Sequence, residues 1–353
     1  MENRLNLDEK IWGEIDGENV KLYTLSNGKV SVSVSNYGGI VQAFEVKNTD
    51  ESVDNIVAGY ATPAEYEADK GYYLGALVGR YANRIADGKF SIDGEAYTLP
   101  VNNGPNSLHG GIDGFNRKIW KVLEEIVTDD EVGVIMEYAS KDGEEGYPGH
   151  LMTEVAYKLD KHNRFTIHYV AYTDKPTPIS LTNHSYFNLN GFKTDVTGHE
   201  LKIHATEYTK KNENNVPVGE LEMLTPEHPL YFGKFKKLQD NMDKFPEDKG
   251  FDHNYVLTMQ PFKEVKLAAE LRDAQSGRQL NVYTDQPGLQ IYAGNWWDGT
   301  RKGLHEKPYE QYGGFALETQ AMPNSPNVAS FPNSILRPDE KYISTTVYEL
   351  VEI

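Results

Sequence analysis

The segment Thr182-Asn183-His184-Ser185-Tyr186-Phe187-Asn188-Leu189 sets one histidine among amides, hydroxyls and aromatic rings, where an ordinary strand would alternate apolar side chains. Such a composition suits a polar pocket better than a core. Far along the chain, Phe315-Ala316-Leu317-Glu318-Thr319-Gln320 carries a carboxylate after three apolar residues. A carboxylate is ionised at neutral pH, whereas histidine titrates near it and is held partly protonated by a nearby anion. Together they would supply a base and an acid for paired proton transfers. From local context alone, Glu318 reads equally well as an exposed strand glutamate and His184 as a hydrogen-bonded structural histidine.

Three further segments carry ligand-binding side chains. Gly79-Arg80-Tyr81-Ala82-Asn83-Arg84-Ile85-Ala86 offers an amide beside a guanidinium, a pair that suits vicinal hydroxyls. Asn102-Asn103-Gly104-Pro105-Asn106-Ser107-Leu108-His109-Gly110-Gly111 holds His109 in a stretch whose turns leave side chains free to face a ligand. Phe251-Asp252-His253-Asn254 adds a second carboxylate. Without their neighbours, Asn83 and Arg84 are a turn asparagine and a surface arginine.

These five segments, in their order along the chain, resemble the signature of the aldose 1-epimerase (galactose mutarotase) family, and the resemblance runs from about Gly13 to the C-terminus. It implies an all-β fold, a large antiparallel sandwich of the galactose mutarotase type, with the site in a cleft over one sheet face. It implies an isomerase that interconverts the α and β anomers of free hexoses such as galactose and glucose. Glu318 would be the base and His184 the acid. His109 would bind near the ring oxygen and could share the acid's role, Asn83 and Arg84 would hold sugar hydroxyls, Asp252 would accept hydroxyls on the far side of the ring, and Gln290 would lie near the base. Opening and closing a hemiacetal needs no cofactor and no metal. Alternatives are a 1-epimerase for reducing disaccharides such as maltose, a hexose-6-phosphate epimerase, a carbohydrate-binding relative without catalysis, and a glycoside hydrolase using Glu318 and Asp252.

Composition narrows these choices. With 35 Lys and Arg against 53 Asp and Glu, the formal charge is −18, which disfavours nucleic acid, anionic membranes and phosphorylated substrates as partners. The absence of cysteine removes disulfides, zinc–thiolate sites and a cysteine nucleophile. There is no Gly-x-Ser-x-Gly elbow, Walker loop, dinucleotide fingerprint or His-Glu-x-x-His, so acyl, phosphoryl, hydride and zinc-hydrolase chemistries have no constellation. No signal peptide or long apolar run occurs, so a cytoplasmic protein, monomer or homodimer, acting on a small aldose is expected. Asn183-His184-Ser185 matches a glycosylation sequon, which means little without secretion.

Elements of period two must position these residues. Val30, Val32 and Val34 share a face just after the turn dipeptide Asn27-Gly28. The pattern recurs at 90–99 around Asp93-Gly94, and at 132–139, 151–159, 164–173, 200–206, 265–271, 279–284, 289–293 and 341–351. Helical turns are expected only at 63–68 and 232–238. No repeat or linker divides the chain, so residues 1–353 read as one domain. Tyr186 and Asn188 stand at even spacing from His184 and would share its face on a regular strand. In Gly294-Asn295-Trp296-Trp297-Asp298-Gly299, one tryptophan is expected to pack inward and the other to face the cleft.

Overall fold

The computed structural model describes residues 5–69, 71–260 and 264–353. Two antiparallel sheets dominate. A nine-stranded sheet runs in the order Lys121–Val127, Glu131–Ser140, Leu151–Asp160, Arg164–Thr173, Tyr342–Glu352, Arg278–Thr284, Lys266–Asp273, Glu200–Ile203, Lys236–Lys237. A six-stranded sheet runs Tyr186–Phe187, Phe315–Gln320, Gly288–Tyr292, Asp252–Val256, Glu207–Lys211, Pro217–Met223. A five-stranded N-terminal sheet, Asn6–Ile15 to Val53–Asn55, and four two-stranded pairs make up the remaining strands among the described residues.

The alternation of each strand decides what it buries. Along Phe315–Gln320, Phe315 and Leu317 enter the main core with Leu289, Ile291 and Tyr255 from the same sheet and Leu280, Val282, Tyr348 and Leu350 from the nine-stranded sheet. Phe187 lies 5.0 Å from Tyr348, ring to ring, across this interface. Ala316, Glu318 and Gln320 therefore project from the opposite face. Register aligns that face in rows: Asp252 beside Tyr292 beside Ala316, and Asn254 beside Gln290 beside Glu318.

The turn chemistry holds. Asn27 Oδ1 accepts the amides of Lys29 and Val30, with Gly28 at φ 87°. Asp93 and Gly94 both have positive φ, as a type I′ hairpin requires. The helical turn at Pro63–Ala68 forms, and Glu65 accepts from the Thr62 amide as in a capping box. The second expected helical turn does not form at 232–238. Lys236–Lys237 pair instead with Glu200 and Leu201 at the sheet edge, and a 3₁₀ turn follows only at Leu238–Asp240. The pairing partner is remote in sequence, so local pattern could not reveal it. The strand expected at 200–206 ends at Ile203.

Candidate active site

Glu318 is fully buried on the cleft face of the six-stranded sheet, and Gln290 is its register partner. Gln290 Nε2 donates to Asp252 Oδ1 at 2.5 Å, and Arg84 approaches Asp252 Oδ2 at 3.8 Å through its terminal nitrogen. Arg84 Nε donates to Asn103 Oδ1 at 2.9 Å, which fixes the guanidinium plane. The opposing wall comes from loops. His184 lies between two short strands, Thr182–Asn183 and Tyr186–Phe187, with its amide donating to Ala76 and its carbonyl accepting from Gly75. His184 Nε2 stands 3.4 Å from Glu318 Oε1.

The strand expected through 184–188 is thus interrupted at His184-Ser185. Tyr186 still packs its ring 4.7 Å from the imidazole. Asn188 does not join the cleft; its Nδ2 donates to the carbonyls of Thr194 and Gly313 and braces a loop. Asn183 is buried, its amide bonded to Gly75 O and Ser185, so the sequon is inaccessible.

His109 and Asn83 both adopt left-handed backbone conformations, φ 54° and 65°, costly for residues with a Cβ and concentrated at functional sites. The Asn83 amide donates to His109 Nδ1 at 3.1 Å. That bond assigns the His109 proton to Nε2, so its remaining nitrogen offers an N–H rather than a lone pair. His109, His184 and Glu318 place one donor atom each within 4.8 Å of one another, a set that in composition resembles a metal triad. The His109 tautomer opposes that use and favours hydrogen-bond donation to an oxygen.

Electrostatics bear on the acid–base pair. Burial, reinforced by the negative charge of Asp252, pushes the Glu318 carboxyl well above the usual carboxylate range, with Arg84 opposing. Burial lowers the His184 imidazole to about 4 and the His109 imidazole well below its ordinary value. Burial thus opposes both an ionised Glu318 and a protonated His184, and favours their neutral forms. Glu318 Oε2 and His184 Nδ1 are buried with no hydrogen-bond partner among the described residues.

All seven residues expected from sequence, Asn83, Arg84, His109, His184, Asp252, Gln290 and Glu318, line one cavity of about 340 Å³. Cavities of about 520 and 740 Å³ lie elsewhere, so the residue set, not size, marks the site. Sequence reading missed Tyr73, whose ring sits 4.7 Å from His109 and 6.1 Å from His184. It also missed Tyr292 and Asn215 on the lining. Gly71-Tyr72-Tyr73 is an aromatic pair beside a glycine, the same signal that singled out Trp296 and Trp297. Both tryptophans line the cleft, but Trp297 is buried against Tyr72, Tyr186 and Tyr309, while Trp296 is 55% exposed.

The aldose 1-epimerase family model matches residues 21–349. This chain belongs to the aldose 1-epimerase family. It is an enzyme, an isomerase. It is 41% identical to the galactose mutarotase of Sus scrofa over 93% of each chain, and 37% identical to the aldose 1-epimerase of Escherichia coli strain K12 over 95% of this chain and 96% of that one. The solved structure of galactose 1-epimerase from Lactobacillus acidophilus superposes with a TM-score of 0.86 at 26% identity over 99% of both chains. The epimerase's β-sandwich is that of the galactose mutarotases. Among the described residues no helix is long and apolar enough to cross a membrane.

Proposed function

We propose that this epimerase interconverts the α and β anomers of free hexoses, galactose and glucose among them, by acid–base opening and closing of the ring. The observation that carries this reading is the buried contact of His184 Nε2 with Glu318 Oε1 at 3.4 Å, each side chain keeping one unpaired atom in a cleft lined by hydroxyl-binding groups. Relatives named galactose mutarotase support the hexose.

In this reading Glu318 and His184 together hold one mobile proton. Its passage to His184 as sugar binds yields carboxylate and imidazolium. Glu318 then takes the proton of the C1 hydroxyl while His184 delivers its own to the ring oxygen; the C1–O5 bond breaks and the open-chain aldehyde forms. This leaves the carboxyl protonated and the imidazole neutral, the charge state that burial favours. After rotation about C1–C2 the same two transfers run backwards, and the ring closes on the other face. His109 Nε2–H would donate to the ring oxygen, and Asn83, Arg84, Asp252 and Gln290 would hold the other hydroxyls. Residues 1–353 act as one domain in this reading, which the main hydrophobic cluster, drawing on residues from Tyr23 to Leu350, supports.

Polarimetry of freshly dissolved α-galactose and α-glucose tests it. The expected result is relaxation to equilibrium faster than the spontaneous rate, unchanged by exhaustive EDTA and unstimulated by nucleotides. Loss of activity on chelation with rescue by one metal ion would replace the proton-transfer mechanism. No acceleration on either hexose would remove the function.

A further inference from the structure

Asparagine followed by glycine is a chemically labile pair, because a residue without a side chain lets its own backbone nitrogen reach the asparagine side-chain carbonyl. The pair stands at 27–28, 103–104 and 190–191, and the fold treats these positions differently. Asn27 is buried, its Oδ1 accepting the amides of Lys29 and Val30 and its Nδ2 donating to Asp160 O at 2.9 Å, while the Gly28 amide donates to Ser26 Oγ. Asn190 is buried too: its Oδ1 accepts the Lys193 amide, its Nδ2 donates to Thr194 Oγ1, and the Gly191 amide donates to Asn188 O. In both pairs the nitrogen that would attack and the amide that would leave are tied down.

Asn103-Gly104 is open. Asn103 is half-buried and Gly104 exposed, at the tip of a tight turn closed by the Asn103 and Asn106 amides, each donating to the other's carbonyl. Gly104 has φ 56°, and nothing stands within 4 Å of where a Cβ would sit. Among the described residues, neither the Gly104 amide nor Asn103 Nδ2 has a hydrogen-bond partner. The side-chain bond of Asn103 joins its Oδ1 to Arg84 Nε at 2.9 Å, and a charged donor on that oxygen draws electrons from Cγ, the atom to be attacked. The neighbouring Asn102 lacks this freedom, its Nδ2 donating to Leu108 O and Gly111 O and its Oδ1 accepting the Leu108 amide.

We propose that Asn103-Gly104 is a site of spontaneous deamidation, and that the acid formed there weakens sugar binding through Arg84. The Gly104 nitrogen gives its proton to hydroxide and attacks Asn103 Cγ; the Cγ–Nδ2 bond breaks, and Nδ2 takes a proton from water and leaves as ammonia. Water then opens the resulting succinimide at Cγ, giving aspartate, or at the main-chain carbonyl carbon, giving isoaspartate, whose backbone runs through Cγ and is longer by one carbon. Aspartate sets a carboxylate in place of a neutral acceptor against the Arg84 guanidinium, whose terminal nitrogen faces Asp252 across 3.8 Å. The new anion competes for the N–H groups that would hold the sugar. Isoaspartate also lengthens the loop that carries His109. The effect on binding rests on the role of Arg84 proposed above; the modification itself does not.

To test this, the purified protein is held warm for days in mildly alkaline buffer, with alkaline urea as a parallel arm, and its tryptic peptides are read for the mass gain of amide-to-acid conversion. Asn103 lies in the peptide Phe90–Arg117 and Asn27 in Leu22–Lys29, and fragment spectra assign the residue. The expected result in the folded protein is conversion at Asn103 at least roughly tenfold faster than at Asn27 or Asn190, whose bonded amides must first open, with the advantage lost in urea. Galactose turnover by polarimetry should show KM rising with the converted fraction, and fresh Asn103→Asp should raise KM by roughly three- to tenfold with kcat changing less. Asn103→Gln, whose ring closure is slower, should keep its own kinetics constant through the same ageing. Equal conversion at all these sites in the folded protein, or none at Asn103, overturns the proposal, as does an advantage that persists in urea and so belongs to local sequence. Conversion at Asn103 with KM unchanged overturns the effect on binding. Fresh enzyme that accelerates neither hexose sinks the proposed function, while the mass spectra still decide the modification.

Discussion

Arg80 and the pair His184–Glu318 are both ionisable groups taken almost wholly out of water, and the protein treats them in opposite ways. Every nitrogen of the Arg80 guanidinium is bonded: Nε to Ser140 Oγ, one terminal nitrogen to Pro148 O and Thr177 Oγ1, the other to Ser140 and to Lys141 O. Burial lowers its pKa only to about 10, so it stays charged at neutrality and ties together loops distant in sequence. His184 and Glu318 are as deeply buried, yet each leaves an atom unpaired, and burial moves both toward their neutral forms. A satisfied buried charge holds structure; unsatisfied buried groups facing a cavity are poised for a ligand. Three residues separate Arg80 from Arg84, so one short segment serves both purposes.

The sharpest way to break this contrast is to remove the groups in turn. Arg80→Met strands the carbonyls that the guanidinium satisfied and is expected to destabilise the fold by roughly 3–5 kcal/mol, read as a lowered urea midpoint. Glu318→Gln should instead keep or slightly raise thermal stability while kcat falls by roughly 10²-fold or more. A Gln variant that melts early, or turns over near the wild-type rate, would make Glu318 structural.

Next in size is the ordering of the histidines. His184 touches Glu318, whereas His109 is committed through Nδ1 to the Asn83 amide, so His184→Asn should lower kcat at least about tenfold more than His109→Asn. The reverse order would assign the acid to His109.

The smallest effect sharpens the electrostatic half of the comparison. The pair must carry one proton for the acid step, so kcat/KM should fall as pH rises through a limb lying above the ordinary glutamate range, where that proton is lost. Asp252 raises the Glu318 pKa and Arg84 lowers it. Asp252→Asn should therefore move the limb to lower pH and Arg84→Met to higher pH, by about a unit or less each. Shifts of the same sign in both variants would mean that the limb belongs to another group.

Much of this site could be read from residue order. His184 in its polar segment, Glu318 after its apolar residues and the hydroxyl-binding set around Asn83, Arg84, His109, Asp252 and Gln290 all converge on one cleft, and the strand alternation and turn dipeptides hold across most of the fold. Tyr73 escaped although Tyr72-Tyr73 beside Gly71 carries the same aromatic-pair signal as Trp296-Trp297. The 232–238 helix failed because the competing partner, Glu200–Leu201, lies some 35 residues away. Asn188 takes a supporting role, bracing a loop, because the strand breaks at His184-Ser185 and the even spacing no longer fixes a shared face.

By itself the sequence determined the side-chain chemistry available, the face each strand presents and the family to which the chain belongs, since these depend on residue identity and short-range spacing. Tertiary structure alone decided that residues from 83 to 318 meet around one cavity, that His109 offers its Nε2–H, that Trp297 is buried while Trp296 is left at the mouth, and that burial pushes the Glu318 carboxyl up and the His184 imidazole down. Desolvation and hydrogen-bond partnership are set by atoms brought together from distant parts of the chain, and they, more than the identity of the residue, determine where a buried proton resides.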